Sequence, residues 1–144
     1  MTGDANHPSV LVSNRQELQV DEDALVALAR EVLLAEGLGD AELSVSFVTD
    51  DEIADLRARY MVEEGPTDVL SFAQEDDGER PRLLGDVVIA PAYAARNANG
   101  DVASELRLLL VHGVLHLLGY DHEGDDERAA MWVRQERYSG VRVS

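Results

Sequence analysis

Apolar and polar positions repeat with two different periods along this chain, and the switches between them predict its elements. Leu43, Val45 and Phe47 alternate with Glu42, Ser44 and Ser46, the period of a strand with one face buried. Val10-Leu11-Val12 predicts a shorter strand before it. Between the two, Asp21 to Glu36 places Leu25, Leu28, Ala29, Val32 and Ala35 on one stripe, with an acidic first turn and Gly37 just past the end, which predicts an amphipathic helix. Thr49 and Glu52 form a capping-box pair that opens a second helix, with Ile53, Leu56 and Tyr60 on one side. Gly65-Pro66 ends it. Thr67 to Phe72 and the more apolar Leu83 to Ile89 then read as two strands joined by an exposed acidic loop, Glu75-Asp76-Asp77-Gly78-Glu79.

Pro91, at an allowed first-turn position, opens a short helix that ends before Gly100, and Asp101 caps the next one. That next helix is apolar nearly all round, from Leu106, Leu108, Leu109, Leu110 and Val111 to Val114, Leu115, Leu117 and Leu118, so it is expected at the centre of the molecule. A last helix from about Asp125 to Arg137 carries the single tryptophan, Trp132, expected in the core. The order β, α, β, α, β, β, α, α, α predicts an α+β fold, a mixed four-stranded sheet packed with about five helices. The whole span 1–144 reads as one domain, with 1–8 and 139–144 as flexible tails. With 144 residues, 45% of them hydrophobic, the chain can bury a real core. It has no cysteine, which excludes a disulfide framework and a thiolate metal site. The first eight residues lack the basic and apolar regions of an export signal, and no apolar run approaches membrane-spanning length. A soluble cytoplasmic protein with no membrane partner is expected.

Three of the four histidines fall in one run, His112-Gly113-Val114-Leu115-His116-Leu117-Leu118-Gly119-Tyr120-Asp121-His122. On a helix, His112 and His116 share a face about 6 Å apart along the axis, so two imidazoles can converge on one ion. Gly119 permits the left-handed turn that brings the chain back and delivers His122 as a third nitrogen ligand. Three neutral nitrogens suit one zinc ion and leave a fourth position for water, the pattern of a catalytic site. A lone histidine on an apolar helix is more often a core residue, but three in this spacing point to metal. In the HExxH peptidases the residue after the first histidine is the glutamate base. Here it is Gly113. Glu105, on the same face, lies roughly 10 Å along the axis from His112, and suits the first turn, where the helix dipole favours a carboxylate. Asp121, next to the third ligand, is a candidate for orienting a histidine or accepting a proton; shaping the turn after Gly119 is an equal alternative.

A net charge of −17 works against nucleic-acid binding, which draws on phosphate neutralisation by cations. All twelve cationic residues are arginine, the side chain suited to bidentate phosphate contact. Arg57, Arg59, Arg80, Arg82, Arg107, Arg134 and Arg137 could form a local basic patch, although solvated faces are the commoner role for such residues.

The histidine run, with Pro66-Thr67-Asp68-Val69-Leu70-Ser71-Phe72 and Leu84-Gly85-Asp86-Val87-Val88-Ile89 upstream, resembles the YbeY family of bacterial endoribonucleases that mature ribosomal RNA. The resemblance spans most of the chain. It implies a zincin-like metal helix and a zinc-dependent, single-strand-specific endoribonuclease acting on the 3′ end of 16S rRNA and in ribosome quality control. By motif position it assigns the zinc ligands to His112, His116 and His122, and makes Ser71 a substrate-contact candidate in the cleft. Many members carry an activity-bearing arginine after the aromatic residue that precedes the PTDVLSF segment. Here Met61 follows Tyr60, and Arg59 is the candidate to supply that cation. A shift of two residues on a helix turns a side chain by roughly 200°, so either the helix end is irregular or another arginine meets the phosphate.

The mechanism this implies is a zinc-bound water made acidic near neutrality, with either direct attack on phosphorus or removal of a ribose 2′-OH proton. The expected partners are single-stranded rRNA and the small ribosomal subunit, with a ribosomal protein or assembly GTPase delivering the RNA to so acidic a protein. Two other readings stand beside it: a non-catalytic ribosome assembly factor stabilised by its metal, and a metal-dependent peptidase that takes its base from a residue other than position 113.

Overall fold

The computed structural model describes residues 7–61, 65, 67–98, 100–120 and 124–141. Strand β1 (Ser9–Asn14) leads to helix α1 (Glu22–Ala35), then β2 (Ala41–Phe47), α2 (Asp50–Tyr60), β3 (Val69–Ala73), β4 (Arg82–Ile89), α3 (Pro91–Asn97), α4 (Val102–Leu117) and α5 (Asp125–Ser139). The strands lie in the order β1-β2-β4-β3, with β1, β2 and β4 parallel and β3 antiparallel to β4. This is the expected α+β fold with a mixed four-stranded sheet. Its mixture follows from the connections: a parallel pair needs a crossover such as α1, whereas the short loop between β3 and β4 suffices for an antiparallel one.

Alternation along β2 divides the molecule into two unequal cores. Leu43, Val45 and Phe47 face one side with Val87 and Ile89 of β4, under α1 and α4, and form the larger cluster. Each such side chain contributes roughly 1.5–3 kcal/mol through burial. Val48, Leu70 and Val88 face the other side with Ile53 of α2. The predicted cap of α2 is present, Thr49 Oγ1 accepting from the Glu52 amide at 3.2 Å, and Asp21 caps α1, its Oδ1 accepting from the Ala24 amide at 3.1 Å.

Several expectations need correction. Trp132 is 47% exposed, and Met131 beside it is fully buried. The face of α5 that meets the core carries Met131, Gln135 and Ser139 at spacing four, and one residue further turns a side chain about 100° away from it. In α1 the buried stripe ends on Leu33, and Ala35 is exposed. Tyr60 is 62% exposed, because α2 covers the sheet chiefly through Ile53. Two residues assigned to the tails are packed: Pro8 is buried with its carbonyl accepting from Arg30 Nε at 3.1 Å, and Ser139 is the 3% exposed last residue of α5.

At the β2–β4 junction Glu42 pairs with Leu83 and Leu43 with Gly85, so Leu84 is an extra residue that bulges β4. Gly85 there has φ +132°, and a Cβ on it would lie 2.1 Å from the Phe72 carbonyl oxygen. Neither the angle nor the contact admits a side chain. Gly85→Ala is expected to destabilise the protein by about 3 kcal/mol or more, measured as a lowered urea midpoint at unchanged slope.

Candidate metal centre

Helix α4 begins at a doubly used cap. Asp101 Oδ1 accepts from the Ser104 amide at 2.8 Å while Oδ2 accepts from the Ser104 hydroxyl at 2.8 Å. The helix ends in a Schellman turn: the Gly119 amide donates to the His116 carbonyl at 3.0 Å and the Tyr120 amide to that of Leu115 at 3.1 Å, with Gly119 at φ +96°. The spacing-four pair therefore sits on one face of a regular helix. The His112 and His116 rings meet edge to face, centroids 5.1 Å apart, and both residues are half-buried.

Gly113 separates them and explains itself sterically. A Cβ there would meet Val87 Cγ1 at 2.7 Å and Ser71 Oγ at 3.1 Å. The helix backbone is pressed onto the sheet at this point, and Ser71 Oγ of the edge strand β3 donates to the Gly113 carbonyl at 3.1 Å. No carboxylate can stand at the position of the peptidase base without moving the helix. Ser71, the substrate-contact candidate, is thus also a tie between β3 and α4.

The other side of the site was not visible in the sequence pattern. Gln135 of α5 is 5% exposed, and its amide oxygen faces Nδ1 of His112 within hydrogen-bond distance. A glutamine in a helix rich in charged residues carries no apolar signal, and only its spacing from Met131 hints at an inward direction. Glu105 occupies the first turn of α4 as expected. Burial, reinforced by the charge of Asp68, pushes its carboxyl above the ordinary range.

Tyr120, next after Gly119, is held by a second cluster. Tyr120 donates its hydroxyl to Glu36 Oε1 at 2.7 Å, Tyr138 donates to Oε2, and Arg134 lies 3.5 Å from the same carboxylate and 4.6 Å over the Tyr120 ring. Burial pushes Glu36 upward, but the Tyr138 and Tyr120 hydroxyls and the Arg134 charge outweigh it and hold the carboxyl below its ordinary value near 4.5. Burial and the same carboxylate push Tyr138 up to about 12.

The remaining candidates lie apart from these. Arg59 pairs with Asp55 one turn back on its own helix at 3.1 Å, with both side chains exposed. Helix α2 ends regularly, the Met61 amide donating to the Arg57 carbonyl at 2.9 Å, so no irregularity turns Arg59 into the place of Met61. Tyr60 and Phe72 meet edge to face on the sheet side opposite Ser71, beside a shallow groove that also holds Arg15, Ser46 and Asp86. His122 and Asp121 lie outside the described residues. Among the described residues no three histidine, aspartate or glutamate side chains come together, and none of the helices is long and apolar enough to cross a membrane.

The family model for endoribonuclease YbeY matches residues 11–140. The chain belongs to the YbeY family. The endoribonuclease YbeY of Frankia alni is 49% identical to it, covering 90% of this chain and 80% of that one, and the Salinispora tropica protein of the same name is 42% identical, covering 90% and 92%. The solution structure of TM1509 from Thermotoga maritima superposes with a TM-score of 0.63 at 29% identity, over 90% of this chain and 87% of that one. The YbeY fold accordingly spans both cores and the histidine helix.

Two outcomes test the packing of this YbeY site. Gly113→Ala is expected to lose about 1–3 kcal/mol of stability in chemical denaturation, although alanine in an open helix would gain about 0.5–1 kcal/mol over glycine. Glu36 stabilises the fold fully above its ordinary carboxyl range, and that contribution disappears as pH falls through its depressed folded value. Glu36→Gln should therefore cost about 1–2 kcal/mol at neutral pH and flatten the loss of thermal stability below pH 4.5.

Proposed function

We propose that the protein is a zinc-dependent, single-strand-specific endoribonuclease that acts in 16S rRNA 3′-end maturation and ribosome quality control in the cytoplasm. The observation that carries this reading is the His112–His116 pair on one face of α4, in a chain of the YbeY family. The donor chemistry fits zinc, with imidazole nitrogens one helical turn apart and no thiolate in the sequence. His112, His116 and His122 would hold one ion per chain, His112 through Nε2 because Nδ1 faces Gln135. When bound, zinc supplies a Lewis acid and a water whose pKa falls toward neutrality.

The residues around the ion do the rest. Gly113 brings α4 close enough to the sheet for Ser71 to brace it beside the half-buried imidazoles. Asp121 is placed by sequence to orient a histidine or take a proton, and Ser71 and Arg59 are the candidates for touching substrate. Single-stranded rRNA on the small ribosomal subunit is the proposed substrate.

A non-catalytic assembly factor is the second reading, and the −17 charge favours it, or an enzyme whose RNA is presented by a ribosomal protein or assembly GTPase. The peptidase reading still needs a base from a residue other than position 113, where a side chain would meet Val87 and Ser71. The deciding experiment follows cleavage of a labelled single-stranded small-subunit RNA precursor by wild type and by His116→Ala, with and without chelator. Cleavage is expected in wild type alone, to vanish with chelator, and to return with zinc. A wild-type protein that retains one zinc and cuts neither free RNA nor small subunits would establish the assembly-factor reading instead.

A further inference from the structure

We propose that Gln135 is a positioning residue that fixes the tautomer and ring orientation of His112 for metal binding. The proposal rests on the zinc reading above. Gln135 and Ser139 are the buried polar side chains of the described core, and both lie on the α5 face that meets α4. A buried amide is costly unless its polar atoms find partners, and Gln135 Oε1 finds one in His112 Nδ1. An amide oxygen can only accept, so the ring proton sits on Nδ1 and Nε2 carries the lone pair that a metal ion requires.

The support is itself anchored. The Ser139 hydroxyl donates to the Gln135 carbonyl, and Arg107 Nε of α4 donates to the Ser139 carbonyl at 3.1 Å. Helix α5 is thereby bound back to α4 one turn beyond Gln135, which holds the amide at a fixed height beside His112. A histidine ligand whose second nitrogen is unsupported can rotate or adopt the other tautomer, and either change removes the donor. The choice of glutamine over glutamate has its own effect. A neutral acceptor orients the ring without adding negative charge, so the ligand stays less basic than one backed by a carboxylate.

Gln135→Met keeps the length and burial of the side chain and removes the acceptor, while Gln135→Glu keeps the acceptor and adds charge. In nitrogen-15 spectra of the metal-free wild type near neutral pH, His112 is expected as the Nδ1–H tautomer, shifting toward Nε2–H in Gln135→Met. Competition with a chromophoric chelator should show zinc affinity falling about 10–100-fold in Gln135→Met. Gln135→Glu should bind at wild-type strength or tighter, and the thermal midpoint of the metal-free Met variant should match wild type. A wild-type His112 in the Nε2–H form, or zinc affinity in Gln135→Met within about twofold of wild type, overturns the assignment of Gln135 alone. Wild-type protein that binds no zinc overturns the zinc reading, and this proposal with it.

Discussion

The close seat of α4 on the sheet at Gly113 is the contact on which the rest of the architecture depends. A glycine inside a helix costs about 0.5–1 kcal/mol relative to alanine, so its presence there needs an offsetting gain. The gain is approach: with no Cβ, the helix backbone sits against Val87 and within reach of the Ser71 hydroxyl. Residues on either side of that seat are displaced around the helix by its 3.6-residue turn, which puts His112 and His116 together at the flank of the contact. The same steric fact separates this site from HExxH peptidases. There the residue between the histidines carries the base, and here the position has been given to packing.

How much of this could be read beforehand depended on what each residue signals. The strands and helices were legible because β2 alternates strictly and α4 is apolar nearly throughout, patterns that only a half-covered sheet and a central helix satisfy. The mixed sheet followed from connection lengths. Trp132 was misplaced because hydrophobicity says that a side chain gains from burial, while helix phase decides whether it can obtain it; Met131 holds the phase. Gln135 was missed for the converse reason. Its inward place is defined by the imidazole it meets, a residue 23 positions away, and within α5 only its spacing from Met131 hints at it. Gly113 was noticed as a missing glutamate, but its steric cause lies in Val87 and Ser71, which only the folded chain brings to it.

The arginines show how a count of charges misleads about partners. With Asp and Glu outnumbering Arg by 29 to 12, most cations find an acid or a carbonyl nearby. Arg15 grips Glu52, Arg59 meets Asp55, Arg80 and Arg82 share Asp76, and Arg134 serves Glu36. Arg107 is used on the Ser139 carbonyl. The basic patch that the sequence allowed is divided among these contacts, and the electrostatic attraction for an RNA backbone falls with it. The RNA recognition proposed above would then lean on local contacts around the histidine face or on a surface already charged to hold RNA.

That requirement gives the Glu36 cluster its weight. A site with little long-range pull on substrate gains most from rigidity, since less ordering is left to be done on binding. Glu36 stands at the end of α1, and through Tyr120, Tyr138 and Arg134 it joins α1 to the turn after α4 and to α5. Burial opposes its charge, but the tyrosine hydroxyls and the guanidinium outweigh burial and lower its pKa, favouring the charged form. Gly113 and Ser71 restrain α4 from the sheet side, and Gln135 reaches His112 from α5. With Glu36 fixing the turn, the imidazole face is braced by three elements distant in sequence. None of those braces needs a net positive surface, and this is how so acidic a chain can still build a defined site.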